Sequence, residues 1–316
     1  MAAVPGTPQP SATARAFRHA FDGPLFRRLA VGGVRLFPPW WNFAVMPVWG
    51  GLFSALVPAA RRAAEHNLER VLGPMSPLER RRRSLRLFTN YAQSVANLYA
   101  LHLDLPLGIE ASAYRADLLT ELRRDKRGAV LVTGHMGYWQ IAPFLMADKA
   151  YPPLTMAMAE EPNRRAAEFE EKFRKRLRIV YLTRGPLAFV ELARLIGEGE
   201  LVGMQLDRHA GGASLMVDFF GRPAPFPTSP ALLARATGAP MIPAFVLATT
   251  DRRRCEFFIE DPIHVAKTRD RDRDVGEALE KLVAVYARYV AAYPEQWFNF
   301  FDFWATPPAP AASEAA

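Results

Sequence analysis

The segment GAVLVTGHMGYWQIAPFL spans residues 128–145. Its apolar run Ala129–Thr133 is typical of a buried strand, and the residues after the turn predict a helix over Tyr138–Ala147. Glycines flank His135 in the turn between them. A strand, a turn and a helix in this order form the first half of a β-α-β unit, so the segment predicts a parallel sheet.

The same alternation continues through the C-terminal half of the chain. Short apolar runs predict further strands at Leu154–Ala157, Ile179–Leu182, Leu201–Leu206, Leu215–Phe220, Met241–Ala248 and Glu256–Ile259. Amphipathic segments predict helices over Arg164–Arg176, Leu187–Ile196, Ser229–Thr237 and Val275–Tyr293. Because strands and helices alternate with short connections, we expect an α/β protein whose mostly parallel central sheet is covered by helices.

Two further helices are predicted before the sheet. One covers residues 61–72, and the other begins at the capping box Ser76-Pro77-Leu78-Glu79 and continues to about Leu101. Arg80–Arg83 lie in the first turns of the second helix. They form either a solvated basic face or a contact surface for anionic headgroups or an acidic protein.

Composition and charge narrow the class of protein. The chain has 316 residues, 50% of them hydrophobic, which is enough for a sizeable core. The net charge is +8, and only six of the 40 basic residues are lysine. Arginine suits phosphate, carboxylate or an acidic partner, although a GC-rich genome produces the same excess. The single cysteine, Cys255, excludes intramolecular disulfides and a cysteine-based zinc site, and it is expected in a buried strand.

The N-terminal part has the character of a membrane-associating segment. Residues 1–14 and 305–316 are low-complexity and are expected to be disordered, and no signal peptide is predicted. Leu36–Ala60 has no charged residue, holds three tryptophans and has arginines on both sides. Its prolines, Pro38, Pro39, Pro47 and Pro58, are expected to interrupt a helix. We therefore expect residues 15–60 to form an interfacial or re-entrant element, with a buried hydrophobic hairpin as the alternative.

Candidate chemistry lies at the carboxyl ends of the predicted strands, where parallel sheets place their sites. His135 follows one strand, and Asp207 and His209 follow another. The chain has no Gly-x-Ser-x-Gly elbow, no Walker A loop, no Gly-x-Gly-x-x-Gly and no His-Glu-x-x-His pattern. These absences argue against an ordinary serine hydrolase, a nucleotide-binding fold and a zinc protease. No nucleic-acid-binding motif accompanies the basic charge, so no nucleic-acid partner is expected.

Several short motifs occur together in a fixed order. They are Arg62-Ala63-Ala64-Glu65-His66-Asn67-Leu68, Gly134-His135-Met136-Gly137-Tyr138-Trp139, Pro162-Asn163, Thr183-Arg184-Gly185, Asp207, Phe219-Phe220-Gly221, the run from Leu233 to Pro243, and Pro294-Glu295-Gln296-Trp297. In this order they resemble the bacterial lipid A biosynthesis acyltransferase family, the secondary or late acyltransferases. That family belongs to the wider lysophospholipid and glycerolipid acyltransferase superfamily. The resemblance covers residues 60–297 and implies an acyltransferase domain over 61–304.

The resemblance implies acyl transfer from a thioester, on acyl carrier protein or coenzyme A, to a lipid or glycolipid hydroxyl. It implies no metal and no bound cofactor. The family signature is His-x4-Asp/Glu, which His135 matches, but position 140 is Gln140. In the similar phosphatidylinositol mannoside acyltransferases a glutamate before Phe-Phe-Gly pairs with the histidine. By that match Asp207 holds His135, while the alternative role of Asp207 is a cap at a strand end.

The same resemblance suggests substrate contacts. Arg184 and Arg208 are candidates for the oxyanion or for a substrate phosphate, with backbone N–H groups near Gly137 as another oxyanion donor, and Asn163 is a further binding candidate. Candidates for the acyl groove are Trp139, Phe144 and Phe220.

Two functions remain open from the sequence. The first is a membrane-associated acyltransferase at the cytoplasmic face of the inner membrane, acting on a lipid A precursor or another lipid. The second is a catalytically silent homologue that binds lipid or an acidic carrier protein, which Gln140 favours. The presence of His135 in its glycine-rich turn together with Asp207 favours the first.

Overall fold

The computed structural model describes residues 24–146, 150–160, 177–208 and 213–305. The predicted tails at 1–14 and 305–316 lie outside these ranges apart from Ala305. The predicted helix Arg164–Arg176, with Asn163 before it, and His209 also lie outside the described residues.

The described strands build a central sheet and a separate hairpin. Their bounds are β1 Glu110–Tyr114, β2 Ala129–Thr133, β3 Leu154–Met158, β4 Arg178–Tyr181, β5 Leu201–Gln205, β6 Ser214–Phe219, β7 Arg222–Pro227, β8 Met241–Ala248 and β9 Arg254–Ile259. The sheet has the order β1-β9-β8-β2-β5-β3-β4, and every neighbouring pair is parallel except β8 with β9. The expected α/β architecture with a mostly parallel sheet is confirmed.

Helices cover the central sheet, and four of them precede its first strand in the chain. Their bounds are α1 Pro24–Leu36, α2 Pro39–Leu56, α3 Pro58–Leu72, α4 Pro77–His102, α5 Ala116–Arg124, α6 Ala142–Leu145, α7 Pro186–Gly197, α8 Ser229–Thr237 and α9 Arg271–Ala292. Three 3₁₀ turns lie at Trp139–Ile141, Leu182–Arg184 and Pro294–Gln296. At the start of α4 the Ser76 hydroxyl caps the helix by accepting the N–H of Glu79, while the Glu79 carboxylate accepts from Arg83 Nε instead of completing the predicted capping box.

Four expectations about local structure were wrong or incomplete. The predicted helix Tyr138–Ala147 is a 3₁₀ turn followed by the single turn of α6, because the Tyr138 N–H donates to Val246 of β8 rather than within a helix. The predicted strand Leu215–Phe220 lies in the β6–β7 hairpin and not in the main sheet. Strands β1 and β7 and helix α5 were missed. The five residues of β1 are all exposed at a sheet edge and lack an apolar run, and β7 contains three prolines, which are unusual in a strand.

The fourth correction concerns the prolines of the N-terminal segment. Pro39 and Pro58 begin helices α2 and α3, where a missing N–H costs nothing, and Pro47 lies inside α2 without ending it. One face of α2 packs against α4, with Phe43, Met46 and Gly50 buried. The other face exposes large apolar side chains, namely Trp40, Trp41, Val48, Trp49, Leu52 and Leu56.

No single helix in the described residues has the length and apolar character needed to cross a bilayer. The bent pair Phe43–Leu56 and Pro58–Leu72, with 105° between its halves, meets that requirement only when both halves are taken together.

The core has one layer on each face of the sheet. Val130 and Val132 of β2 point toward the layer that includes α7, α8 and α9, while Ala129 and Leu131 point toward the layer with α5. The first four residues of β2, Ala129–Val132, are all apolar and buried because both faces of the strand are covered. Cys255 is buried in β9, as expected, and burial raises the pKa of its thiol to about 11.

Candidate active site

Strands β2 and β5 are neighbours, and their register brings two polar residues together. Thr133 lies opposite Gln205 at the carboxyl ends of the strands. His135 and Asp207 each follow two residues later, so both leave the sheet at the same level. Their backbones are tied there, because the Leu206 N–H donates to the Thr133 carbonyl at 2.8 Å.

The His135 side chain and backbone both bind Asp207. The ring Nδ1 lies 2.7 Å from Asp207 Oδ1, and the His135 backbone N–H donates to Asp207 Oδ2 at 2.8 Å. Both residues are buried. Because the carboxylate occupies Nδ1, it favours the tautomer with the proton on that nitrogen. In the described residues no hydrogen bond joins Nε2 to another group, so this nitrogen remains for a substrate.

Two more buried side chains complete the surroundings of Asp207. The Tyr286 hydroxyl of α9 donates to Asp207 Oδ2 at 2.7 Å, and Asn299 Nδ2 donates to the same oxygen at 2.9 Å. With the two bonds from His135, the carboxylate accepts four hydrogen bonds. Such saturation offsets the cost of burying a charge.

The electrostatics keep the carboxylate charged and the imidazole neutral. Burial would raise the pKa of Asp207, but His135, Arg208 and Tyr286 together hold it well below its usual range. Burial and the nearby Arg208 charge lower the pKa of His135 from 6.5 to about 4, although Asp207 opposes this shift. A neutral imidazole oriented by a carboxylate is the arrangement of a general base.

A small apolar cavity of about 20 Å³ lies beside this pair. Its lining includes Leu131, Trp139, Pro143, Met156, Ala244 and Phe257. The Trp139 ring also packs edge-on against the His135 ring, with 5.4 Å between centroids. Trp139 thus connects the cavity to the histidine. The other two groove candidates, Phe144 and Phe220, do not line this cavity: Phe144 packs on His102, and Phe220 lies at the turn after β6.

The remaining predicted site residues have different outcomes. Arg208 lies at the pair, where its Nη2 donates to the Phe298 carbonyl at 2.9 Å. Gln140 lies in the 3₁₀ turn after His135, and its buried Oε1 has no hydrogen-bond partner among the described residues. It therefore does not contact His135 in the way that the family carboxylate is expected to. Arg184 lies in the 3₁₀ turn after β4, but its side chain is outside the described part, as is Asn163.

The expectation of an oxyanion donor among the backbone N–H groups near Gly137 was wrong. The Met136, Gly137 and Tyr138 N–H groups donate to the carbonyls of Gly134, Gln296 and Val246. All three are occupied within the fold, because the turn must be held to β8 and to the C-terminal segment.

Sequence reasoning missed Tyr286 and Asn299. Tyr286 falls at a core-facing position of α9 and is indistinguishable there from an aromatic core residue. Asn299 could have been singled out from the sequence, because it is the one amide in the aromatic stretch Trp297–Trp304. No group of three or more histidine, cysteine or acidic side chains suited to a metal ion occurs in the described ranges.

Comparisons with known proteins identify the family of this chain. The family model for the bacterial lipid A biosynthesis acyltransferase matches residues 26–306. The phosphatidylinositol mannoside acyltransferase of Mycolicibacterium smegmatis is 27% identical over 269 residues, covering 80% of this chain and 84% of that protein. The protein of the same name from Mycobacterium tuberculosis is 26% identical over 180 residues, which is 56% of this chain and 54% of the relative.

Among solved structures, the 1-acyl-sn-glycerophosphate acyltransferase of Thermotoga maritima is similar at 15% identity and a TM-score of 0.36. The match covers 78% of this chain and 97% of that one.

The chain is an acyltransferase, and it belongs to the bacterial lipid A biosynthesis acyltransferase family, whose model matches most of its length. The alternative of a catalytically silent homologue is therefore set aside.

Proposed function

We propose that this enzyme transfers a fatty acyl group from a thioester to a hydroxyl of a membrane glycolipid, with His135 as the general base. The observation that carries the proposal is the bond between His135 Nδ1 and Asp207 Oδ1, at 2.7 Å. It orients a neutral imidazole, leaves Nε2 for the substrate and supplies a buried anion beside it.

In the proposed reaction the acceptor hydroxyl attacks the thioester directly, and no covalent acyl-enzyme forms. Nε2 of His135 removes the proton of the acceptor hydroxyl as the oxygen attacks the thioester carbonyl carbon. The tetrahedral intermediate collapses, the carbon–sulfur bond breaks, and the thiolate takes the proton from His135. The products are an ester and a free thiol, and the enzyme returns to its starting state. Asp207 stabilises the imidazolium that forms during this cycle.

The negative oxygen of the intermediate requires a donor, and Arg208 is the best-supported candidate. Its charge already acts on His135, since it lowers the pKa of that ring. Its guanidinium also lies at the pair, where Nη2 donates to the Phe298 carbonyl, and a planar cationic fork of N–H donors suits a negative oxygen. Arg184 and Asn163 remain proposed contacts for a phosphate of the acceptor or of the donor's pantetheine arm.

The acyl chain is proposed to enter beside Trp139 by parting the apolar side chains there, because the cavity itself, about 20 Å³, holds no more than one water-sized group. Its lining is almost entirely aliphatic or aromatic, which suits a hydrocarbon chain. Because Trp139 touches both the cavity and His135, a chain seated there has its carbonyl end at the base. The donor is proposed to be acyl carrier protein or coenzyme A.

The enzyme is proposed to work at the cytoplasmic face of the inner membrane. The exposed apolar face of α2 supports this location, since Trp40 is 59% and Val48 71% exposed. Exposed apolar patches of this kind mark membrane or protein contacts. Next to it on α4, Arg81 and Arg82 are exposed, whereas Arg80 and Arg83 pair with glutamates. An apolar strip beside cationic side chains suits an interface of anionic lipids.

The acceptor is proposed to be a lipid A precursor or a phosphatidylinositol mannoside-like glycolipid. The test is incubation of the purified full-length chain with radiolabelled palmitoyl-acyl carrier protein or palmitoyl-coenzyme A and a total lipid extract, followed by identification of the labelled lipid. We expect a labelled glycolipid with the wild type and none with His135→Ala. The exposed His264 offers the matched control, because His264→Ala removes a histidine far from the pair. Transfer by His135→Ala at the wild-type rate refutes the proposed base.

A further inference from the structure

The segment after helix α9 forms one wall of the active site. Residues 297–303 adopt neither helix nor strand. The Phe298 N–H donates to the His135 carbonyl at 2.8 Å, and the Phe298 carbonyl accepts from Arg208. The next residue, Asn299, donates its side-chain N–H to Asp207. This segment, called the C-terminal wall below, therefore contacts both members of the pair.

Irregular backbone needs hydrogen-bond partners from elsewhere when it is buried. For the C-terminal wall these come from Asn67 on α3. Asn67 Nδ2 donates to the carbonyls of Asn299, at 2.9 Å, and Phe301, at 2.8 Å, and its Oδ1 accepts the Phe303 N–H at 3.2 Å. Both hydrogens of the amide and its oxygen are used, and the residue is 2% exposed.

Asn67 belongs to the motif Arg62–Leu68, which the proposed chemistry leaves without a role. A chain of contacts connects it to the base: Asn67 holds the backbone of Asn299, the Asn299 side chain holds Asp207, and Asp207 holds His135. Every side chain in this series is buried. Asn67 thus lies 68 positions before His135 in the sequence, but only two residues, Asn299 and Asp207, separate them along this series of hydrogen bonds.

We propose that Asn67 is a positioning residue for the acyl transfer, which fixes the C-terminal wall so that Asn299 and Asp207 hold His135 in its reactive orientation. This inference rests on the proposed role of His135 as base. Asn67 touches no reacting atom, so its loss disturbs the placement of the base and leaves the binding of the substrates largely unchanged.

The experiment compares variants in the purified full-length chain. Asn67→Ala removes all three bonds, and Asn67→Asp keeps the shape but cannot donate to two carbonyls. Leu119→Ala is the control, because Leu119 is fully buried on α5, away from this segment, and its truncation weakens the fold through lost packing alone. The activity readout is the initial rate of thiol release from palmitoyl-coenzyme A with total lipid extract as acceptor, corrected for the folded fraction.

For both Asn67 variants we expect kcat to fall about 10- to 100-fold with KM within about twofold, since an ångström of misplacement costs up to 10²-fold. Leu119→Ala is expected to keep the wild-type kcat. A kcat for folded Asn67→Asp equal to that of Leu119→Ala overturns the proposal.

A second readout does not depend on turnover. The Nδ1 proton of His135, bonded to Asp207, gives a downfield resonance in spectra of protein labelled with ¹⁵N-histidine. We expect this resonance to shift or broaden in the Asn67 variants and to stay in place in Leu119→Ala. If the wild type transfers no acyl group, the proposed function fails, but this resonance still decides whether Asn67 positions His135.

A third variant covers the case in which both Asn67 variants fail to fold. Asn299→Ala leaves every bond of Asn67 to the backbone and removes only the last link to Asp207. An unchanged kcat together with an unchanged His135 resonance in Asn299→Ala overturns the proposal, whatever Asn67→Ala does.

Discussion

His135 and Asp207 are 72 positions apart in sequence and 2.7 Å apart in the structure, because they follow equivalent ends of two adjacent parallel strands. The contact involves the main chain as well as the ring, since Asp207 also accepts the His135 N–H. A carboxylate that binds both parts of the same residue fixes the ring in position and in tautomer. We therefore expect a carboxylate at position 140, which the family signature would place there, to be dispensable in this chain.

The first prediction concerns which residue supplies the carboxylate. Asp207→Asn is expected to lower kcat by roughly 10³- to 10⁴-fold, since an amide in place of the orienting carboxylate of serine proteases has an effect near 10⁴. Gln140→Ala is expected to change kcat by less than about threefold, because in the described residues Gln140 makes no bond to His135. Single-turnover assays on both variants, at matched folded fraction by circular dichroism, decide the matter. The reverse ordering would show that Gln140 orients His135.

The second prediction concerns pH. Burial and Arg208 lower the pKa of His135 to about 4, against the opposing effect of Asp207. Because the base must be neutral, kcat/KM is expected to stay constant as pH falls through 6.5 and to decline only toward pH 4. The charged groups facing the ring are Asp207 and Arg208, and Tyr286 stays protonated because its pKa is raised well above 10.0. An acid limb centred near 6.5 in the pH–rate profile contradicts this prediction.

The same shift has a consequence for stability. In the unfolded chain His135 takes up its proton near its ordinary pKa of 6.5, whereas in the folded chain it does so only near 4. Between these values the unfolded state binds more protons, so the free energy of unfolding rises with pH across this window. Denaturant titrations at several pH values give the free energy of unfolding at each pH. We expect this free energy to rise less steeply with pH in His135→Ala than in the wild type. Identical pH dependence in the two proteins would argue against a lowered pKa.

The third prediction concerns a glycine in the turn. A Cβ on Gly134 would overlap the ring and hydroxyl of Tyr286, and this hydroxyl donates to Asp207. Gly134→Ala is therefore expected to displace Tyr286 and to lose activity by at least about tenfold. Gly276 in α9 is the control, since a Cβ there meets open space. Gly276→Ala is expected to keep full activity and to stabilise the protein by about 0.5–1 kcal/mol in thermal or urea unfolding. Equal activity of the two variants would be evidence against the packing role of Gly134.

The fourth prediction concerns acyl-chain length. Ala244 lines the small apolar cavity, and the larger side chain of Ala244→Leu fills it and obstructs the proposed path of the acyl chain. Each methylene that no longer fits loses about 0.8 kcal/mol of burial, so the preferred donor is expected to become shorter. Competition among acyl donors of different length measures the change. Ala278→Val enlarges a buried residue on the opposite face of the sheet and is expected to leave the preference unaltered. If both variants keep the wild-type ranking of donors, the chain binds elsewhere.

The fifth prediction concerns the membrane. Each large apolar side chain that enters the bilayer interface contributes up to about 1.5–3 kcal/mol. The pair of substitutions Trp49→Gln and Leu52→Gln on the exposed face of α2 is expected to weaken binding to phosphatidylglycerol-containing vesicles by at least about tenfold. Leu187→Gln changes an even more exposed apolar residue, on α7, and is the control. Vesicle flotation compares them, and equal loss in both proteins would mean that α2 has no special part in binding.

Much of the sheet was predictable from local pattern. Strands β2 and β8 and helix α8 have the predicted bounds, because buried strands give uninterrupted apolar runs and α8 ends at Gly238, which adopts a left-handed conformation at its C-terminus. Strand β1 gave no such run, since an edge strand with exposed side chains needs none. Pro47 was expected to interrupt a helix, but packing of α2 against α4 holds the helix through it.

In the active site, local sequence pattern and tertiary packing each determined a different part. The sequence alone determined that a glycine-flanked histidine and an aspartate follow two buried strands, since strand ends and turns are written in local residue patterns. Only the tertiary structure decided that β2 and β5 are neighbours in the register that joins His135 to Asp207, and that Tyr286, Asn299 and Asn67 support them. Strand order and register depend on how whole layers pack, and hydrogen bonds between residues so distant in the chain leave no periodicity in the sequence.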